Sequence, residues 1–248
     1  MMDDRALDVK GLNIVYTSYH SMRVRNLLSG RRTKSAPIHA IKDLSFSVSR
    51  GEVLGVVGLN GSGKTTLLRA IAGVFAPDSG SIELYGNRAS LMALGVGFDP
   101  ELSGKENIVL SGMMLGFSRR EIQSRIDEII EFSELNDFID YPVRTYSSGM
   151  HARLAFSVTS FLKTDVMLVD EVMSVGDAHF REKSGAKMQE LIADKRHSVV
   201  LVSHDEELVR DTCSRAVWLD KGSLKMEGDT GTVLAEYRNF LDRMSEEP

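Results

Sequence analysis

Gly58-Leu59-Asn60-Gly61-Ser62-Gly63-Lys64-Thr65 decides the reading of this chain. The stretch satisfies the pattern G-x-x-x-x-G-K-[ST], and its setting gives the pattern meaning. Before it, Glu52 to Val57 is a short apolar run that reads as a strand. After it, Lys64 to Ala72 places Leu67, Leu68 and Ile71 on one side of a helix. Glycines at 58, 61 and 63 let the backbone curl so that successive N–H groups point inward at phosphate oxygens. The following helix turns its positive end toward the same anion. Lys64 is then expected to reach the terminal phosphates and the Thr65 hydroxyl to ligate Mg²⁺.

Working outward, Val166 to Val169 and Ser198 to Val202 read as strands buried on both faces. Helical spacing is expected over Arg119 to Phe132, where Ile122, Ile126, Ile129 and Ile130 recur at steps of three and four. It is also expected over Ser148 to Leu162 and Asp177 to Ala193. Pro77-Asp78-Ser79-Gly80 is turn chemistry before a strand beginning near Ser81. Apolar strands alternating with helices predict an α/β protein with a parallel sheet covered on both faces.

The strand at Val166 ends in two carboxylates, Asp170 and Glu171. Asp170, at the tip, is expected to hold Mg²⁺. Glu171, one step beyond, is placed to take a proton from an attacking water, a role that a hydrolase needs and a nucleotide kinase does not.

The 248 residues suffice for one large domain or two small ones, with 42% hydrophobic and 26% charged residues. A net charge of −5 argues against wholesale electrostatic binding to nucleic acid. The single cysteine, Cys213, excludes an intramolecular disulfide and a cysteine-based zinc site, and fits a reducing compartment. Met1-Met2-Asp3-Asp4-Arg5 lacks the basic start of a secretion signal. The longest apolar runs, such as Val199 to Val202, fall far short of the roughly 20 residues of a spanning helix. A soluble, cytosolic chain is expected. Charge is uneven, however. Met22 to Lys34 holds Arg23, Arg25, Arg31, Arg32 and Lys34 with no acid. Such a segment reads as a solvated loop, or as a contact with anionic headgroups or an acidic partner.

Tyr146-Ser147-Ser148-Gly149-Met150, directly before a helix, resembles the signature of the ATP-binding cassette (ABC) family. Ser147 and Gly149 match the commonest form, whereas Tyr146, Ser148 and Met150 depart from it. The variant is similar to that of nucleotide-binding subunits of polysaccharide and teichoic-acid exporters. Pro100-Glu101-Leu102-Ser103-Gly104-Lys105-Glu106-Asn107 resembles the same subgroup, as does Asp170-Glu171-Val172 leading into Val175-Gly176-Asp177-Ala178. The resemblance runs from about Leu7 to Tyr237.

It implies a P-loop NTPase fold of α/β class, with a RecA-like parallel-sheet core. An N-terminal antiparallel β subdomain and a helical subdomain, approximately residues 100–163 and carrying the signature, complete the single domain of 1–248. Residues 22–36 would be a basic loop insertion and 230–248 a C-terminal helix and tail. ATP would be bound by Gly58, Leu59, Asn60, Gly61, Ser62, Gly63, Lys64, Thr65 and Thr66, with Mg²⁺ at Thr65 and Asp170. Glu171 and His204 would be catalytic, and Tyr16 would stack on adenine, with Tyr19 and His20 as competitors. The resemblance also implies head-to-tail homodimers, in which Ser147, Ser148 and Gly149 contact the partner's ATP and Asp177 lies in the loop that crosses the interface. The family's metal-touching glutamine is missing between loop and signature, where only Gln123 falls; Asp99 is the substitute expected near 94–99.

A separate membrane permease in two copies, handling a glycolipid, and a peripheral site on the cytoplasmic face of the inner membrane follow from the same resemblance. No nucleic-acid partner is expected, and the end soon after Tyr237 suggests no carbohydrate-recognition domain. Two rivals are a soluble cassette ATPase acting on DNA or ribosomes, and a regulatory module that binds ATP without turnover.

Overall fold

The computed structural model describes residues 4–16, 37–92, 97–170 and 178–246. The basic segment, Tyr19, His20, Glu171 and Asp177 lie outside the described residues.

Two sheets organise the chain. β1 (Arg5–Tyr16) and β2 (Ile38–Ser49) form a long antiparallel pair. β3 (Val53–Val57) leads through the glycine loop into α1 (Lys64–Ile71). β4 (Ser79–Glu83) then returns to pair with β1, giving a three-stranded sheet of order β2-β1-β4. β5 (Ala89–Leu91), β6 (Val166–Asp170), β7 (Ser198–Val202), β8 (Arg215–Asp220) and β9 (Ser223–Asp229) join β3 in a six-stranded sheet, ordered β5-β6-β7-β3-β8-β9. All its pairings are parallel except β8 with β9. The expected parallel sheet is present, with an antiparallel strand added at its edge. Strands β3 and β7 are buried at every position, which is why they read as unbroken apolar runs.

Between β5 and β6 the described residues form four α-helices, α2 (Gly104–Met114), α3 (Arg119–Gln123), α4 (Ile126–Ser133) and α5 (Ser148–Phe161), and a short 3-10 turn at Val143–Thr145. α6 (Ala178–Ala193), α7 (Glu206–Thr212) and α8 (Thr230–Glu246) complete the chain. One apolar core fills the space between the sheets and takes in Leu67, Leu68 and Ile71 of α1. A second covers the other face of the six-stranded sheet, with Phe156, Phe180, Val209 and Leu234. The third lies among α2 to α5 and the segments that join them, and includes Ile108, Ile122, Ile126, Ile129, Leu154 and Val158.

The helix expected over Arg119 to Phe132 is broken in two. The Ser124 hydroxyl donates at 2.7 Å to the Glu121 carbonyl, which in a continuous helix would accept the Arg125 N–H. Arg125 N–H turns to Ile122 O at 3.0 Å instead. Ile122, Ile126 and Ile129 stay buried across the break and Ile130 is partly buried, so the apolar period survives while the helix does not.

A nucleotide-binding site at the strand ends

The register of the parallel sheet gathers the site. Asp170 pairs with Val202, and Val202 with Val56, so the carboxyl ends of β6, β7 and β3 lie at one level. Open α/β sheets bind ligands at this edge. The glycine loop leaves β3 there, Asp170 closes β6, and exposed His204 follows β7 by two residues.

Long-range contacts hold the loop in shape. A Cβ on Gly58, at φ +147°, would lie 2.2 Å from Leu219 O, and one on Gly63, at φ +106°, would lie 2.6 Å from Ala40 O. Neither position admits a side chain without moving backbone. Ser62 O accepts the Gly222 N–H at 3.0 Å, and Gly222 O accepts the Lys42 N–H at 2.8 Å. The loop is therefore clamped between β2 and the β8–β9 turn. Asn60 and Gly61, at its tip, are exposed.

Lys64 is buried inside the curl, where its ammonium donates to Gly58 O at 2.5 Å and Leu59 O at 3.1 Å. The Ser62 hydroxyl is buried beside it without a hydrogen-bond partner. α1 starts at Gly63 with no side-chain cap, unlike α2, α3, α5 and α7, which use Ser103, Ser118, Ser147 and Asp205. Its first N–H groups are left for an anion. A buried cation, an orphaned hydroxyl and an uncapped helix end fit a phosphate chain.

At the loop's mouth the Thr65 hydroxyl donates to Asp170 Oδ2 at 2.9 Å, joining residues 105 positions apart. One hydroxyl and one carboxylate form a hard-oxygen donor pair, suited to Mg²⁺ that keeps water and substrate phosphate as its other ligands. Among the described residues no group of three or more His, Cys, Asp and Glu gathers into a closed metal cage. Tyr16, exposed at the end of β1, lies 3.2 Å from the Thr66 hydroxyl through its own and meets the Phe75 ring edge-on at 5.8 Å. Phe75 carries no sequence signal of its own; its pairing with Tyr16 emerges only in the fold.

Ser147 caps α5, its hydroxyl accepting the Met150 N–H at 3.2 Å, and Ser148 begins the helix with both serines exposed. The segment behind it is braced by the second family-like stretch. Ser103 and Glu106 cap α2 reciprocally. Asn107 is fully buried, accepting the Asp99 N–H at 2.7 Å and donating to the carbonyls of Asp99, Leu102 and Ser103 at 2.9, 3.0 and 2.9 Å. Gly104 is closed by the Tyr146 hydroxyl, 2.3 Å from where a Cβ would sit. Val143 N–H donates to Leu102 O and Arg144 N–H to Pro100 O, each at 2.9 Å. Residues 99–107 and 138–146 thus form one knot ahead of the signature. Asn107 is its centre, a role that the sequence does not announce, although Ser103-x-x-Glu106 is a legible capping box. The Asp99 carboxylate accepts the Glu101 N–H at 2.9 Å within the knot. Burial presses the His151 pKa down; its ring lies 5.0 Å from Phe98, beneath the same knot.

A buried cation in a glycine loop, facing a hydroxyl–carboxylate pair, is the arrangement of P-loop nucleotide-binding proteins. Residues 41–174 match the ABC transporter family, and the chain belongs to it. The O-antigen export system ATP-binding protein RfbB of Klebsiella pneumoniae is 42% identical over 223 residues, covering 90% of this chain and 88% of the relative. Its Myxococcus xanthus namesake is 43% identical over 91% of this chain and 52% of its own length. The teichoic acids export ATP-binding protein TagH of Lactococcus lactis is 42% identical over 88% and 47%. The chain thus spans about half the length of these last two relatives. Among solved structures, an ATP-binding subunit of an ABC transporter superposes with a TM-score of 0.69 at 21% identity, over 94% of this chain and 93% of its own. A dimeric post-hydrolysis cassette bound to ADP and Pi gives 0.67 at 20%, over 90% and 98%. At those identities the likeness is one of fold.

Proposed function

We propose that this chain is the ATP-binding and ATP-hydrolysing subunit of a membrane exporter of lipid-linked polysaccharide, such as O-antigen, capsule or a teichoic-acid-like polymer. The observation that carries the catalytic part is the Thr65–Asp170 hydrogen bond of 2.9 Å at the mouth of the cationic loop. The names of relatives more than 40% identical support the export part.

In this reading Gly58 through Thr66 cradle the phosphates, Lys64 leaves its carbonyl partners for the phosphate oxygens, and Tyr16 stacks on adenine. Thr65 and Asp170 hold Mg²⁺, which when bound neutralises charge on the phosphates. Glu171 accepts the proton of the attacking water, while His204 orients the terminal phosphate. Asp99 stands in for the family's glutamine. Two copies meet head to tail, so that Ser147, Ser148 and Gly149 of one close over the ATP of the other and Asp177 crosses between them. ATP draws the copies together and hydrolysis separates them. The single cassette, with its helical subdomain at about 100–163, works peripherally on the cytoplasmic face of the membrane. It drives two copies of a permease that handles the glycolipid. Among the described residues no helix is long and apolar enough to cross a membrane.

Reconstitution with the permease tests the assignment. Lipid-linked glycan in the vesicles should stimulate ATPase several-fold; stimulation equal to that by glycan-free lipid would refute it.

A further inference from the structure

Glu134 occupies a position that disfavours its own backbone. It ends α4 at φ +57°, ψ +34°, the left-handed region where helix ends ordinarily place glycine. Its side chain accounts for a residue with a Cβ there. Oε1 accepts the Lys183 ammonium at 2.8 Å and lies 3.6 Å from His179 Nε2, both on α6. Oε2 lies 3.3 Å from Arg153 Nη1, on α5. Lys183 also donates to Phe132 O at 3.0 Å and sits 4.6 Å from the Phe132 ring centre. The Arg153 guanidinium lies 5.5 Å from the ring centre of Phe180. Phe132, Phe156 and Phe180 pack with one another beneath, their centroids 5.7 to 6.2 Å apart. An exposed ion pair alone would do little. Here one carboxylate takes cations from two helices over a shared aromatic floor, and a single side chain ties three helices together.

The two helices so tied matter. α5 begins at the signature serines, five residues before Arg153. α6 leads directly out of the segment that carries Glu171 and Asp177. In a head-to-tail pair, the signature of one copy serves the partner's ATP, while its Glu171 serves its own. We propose that Glu134 is a positioning residue that couples the two ATP sites, by fixing α5 relative to α6 within each copy. The proposal rests on the functional reading above.

Glu134→Gly tests it on the full chain. Glycine suits the left-handed backbone, so the variant removes the ionic tie without adding strain to the fold. Steady-state ATPase against ATP concentration should show kcat lower by about tenfold and the Hill coefficient falling from above 1 to about 1. Calorimetric affinity for ADP, which one copy's loop binds alone, should be unchanged. Lys183→Met should have the same effect, and adding it to Glu134→Gly should cost nothing further. Unchanged kcat and Hill coefficient in Glu134→Gly would overturn the proposal. So would a loss of ADP affinity parallel to that of kcat, which marks a merely structural role, or a parent that hydrolyses ATP without cooperativity. A parent with no hydrolysis at all would overturn the functional reading and this proposal with it.

Discussion

Replacing Asn107 by alanine removes the centre of the knot that precedes the signature. The amide makes four hydrogen bonds of 2.7 to 3.0 Å from a position with no solvent exposure. A buried group left unpaired costs about 1–3 kcal/mol. Asp99 is exposed, so water can take over for its N–H and carbonyl, whereas Leu102 and Ser103 are partly buried and recover less. The sum, with a small cavity, is about 3 kcal/mol. For a chain of this length that lowers Tm by roughly 6–12 °C. Scanning calorimetry reads the shift directly. Asn107→Leu, which fills the space without the bonds, should fall nearly as far, separating hydrogen bonding from volume. ADP affinity should persist, since the glycine loop is clamped elsewhere, by Ala40 and Gly222. A Tm within 2 °C of the parent for Asn107→Ala would refute the reasoning.

Gly63→Ala drives a Cβ to 2.6 Å from Ala40 O at a positive φ, so ADP affinity should fall at least about tenfold by calorimetry; an unchanged affinity would show that the loop shape is dispensable. Tyr16→Ala should weaken ATP binding by about tenfold, the worth of one lost base stack, while alanine at Tyr19 or His20 leaves it alone; the reverse ranking would move adenine recognition to those residues. Glu134 titrates below the ordinary glutamate value near 4.5, chiefly because Lys183 donates to it. A depressed carboxylate stabilises the fold above the unfolded-state pKa and loses that contribution as pH falls through the folded value. The stability gap between the parent and Glu134→Gln should therefore be full above the ordinary glutamate value and shrink as the pH falls below it. A gap that stays constant in urea titrations across that range would argue against the ionic tie.

Local patterns carried much of this molecule. The glycine loop, its strand and helix, and the apolar runs of β6 and β7 were readable because each has its own period and end signals. Asp170 was legible as a strand-tip carboxylate, and its hydrogen bond with Thr65 joins two motifs that the sequence keeps far apart. α2 was not readable as a helix. Its buried positions are Gly104, Asn107, Ile108, Ser111 and Gly112, of which only Ile108 is a large apolar residue, so it has little apolar stripe, and a Cβ on Gly112 would meet Ile122 and Leu162 at under 3 Å. β9 escaped as well, being an edge strand with exposed alternate positions. The Ser124 break in the isoleucine helix was hidden because the apolar period runs straight through it. Ala40, Leu219 and Gly222 brace the loop through contacts distant in sequence, and no local pattern marks them. Asn107 bonds only to residues four to eight positions before it, but nothing in its own residue type marks it as buried.

The central claim is that this chain hydrolyses ATP with Glu171 as the base, between two head-to-tail copies. ATPase of the parent and Glu171→Gln, measured beside their association state with ATP, tests it most directly. The account predicts steady turnover by the parent and a loss of at least about 100-fold in Glu171→Gln, with the variant accumulating as an ATP-dependent dimer. Equal rates for the two chains, or a variant that stays monomeric in saturating ATP, would contradict it.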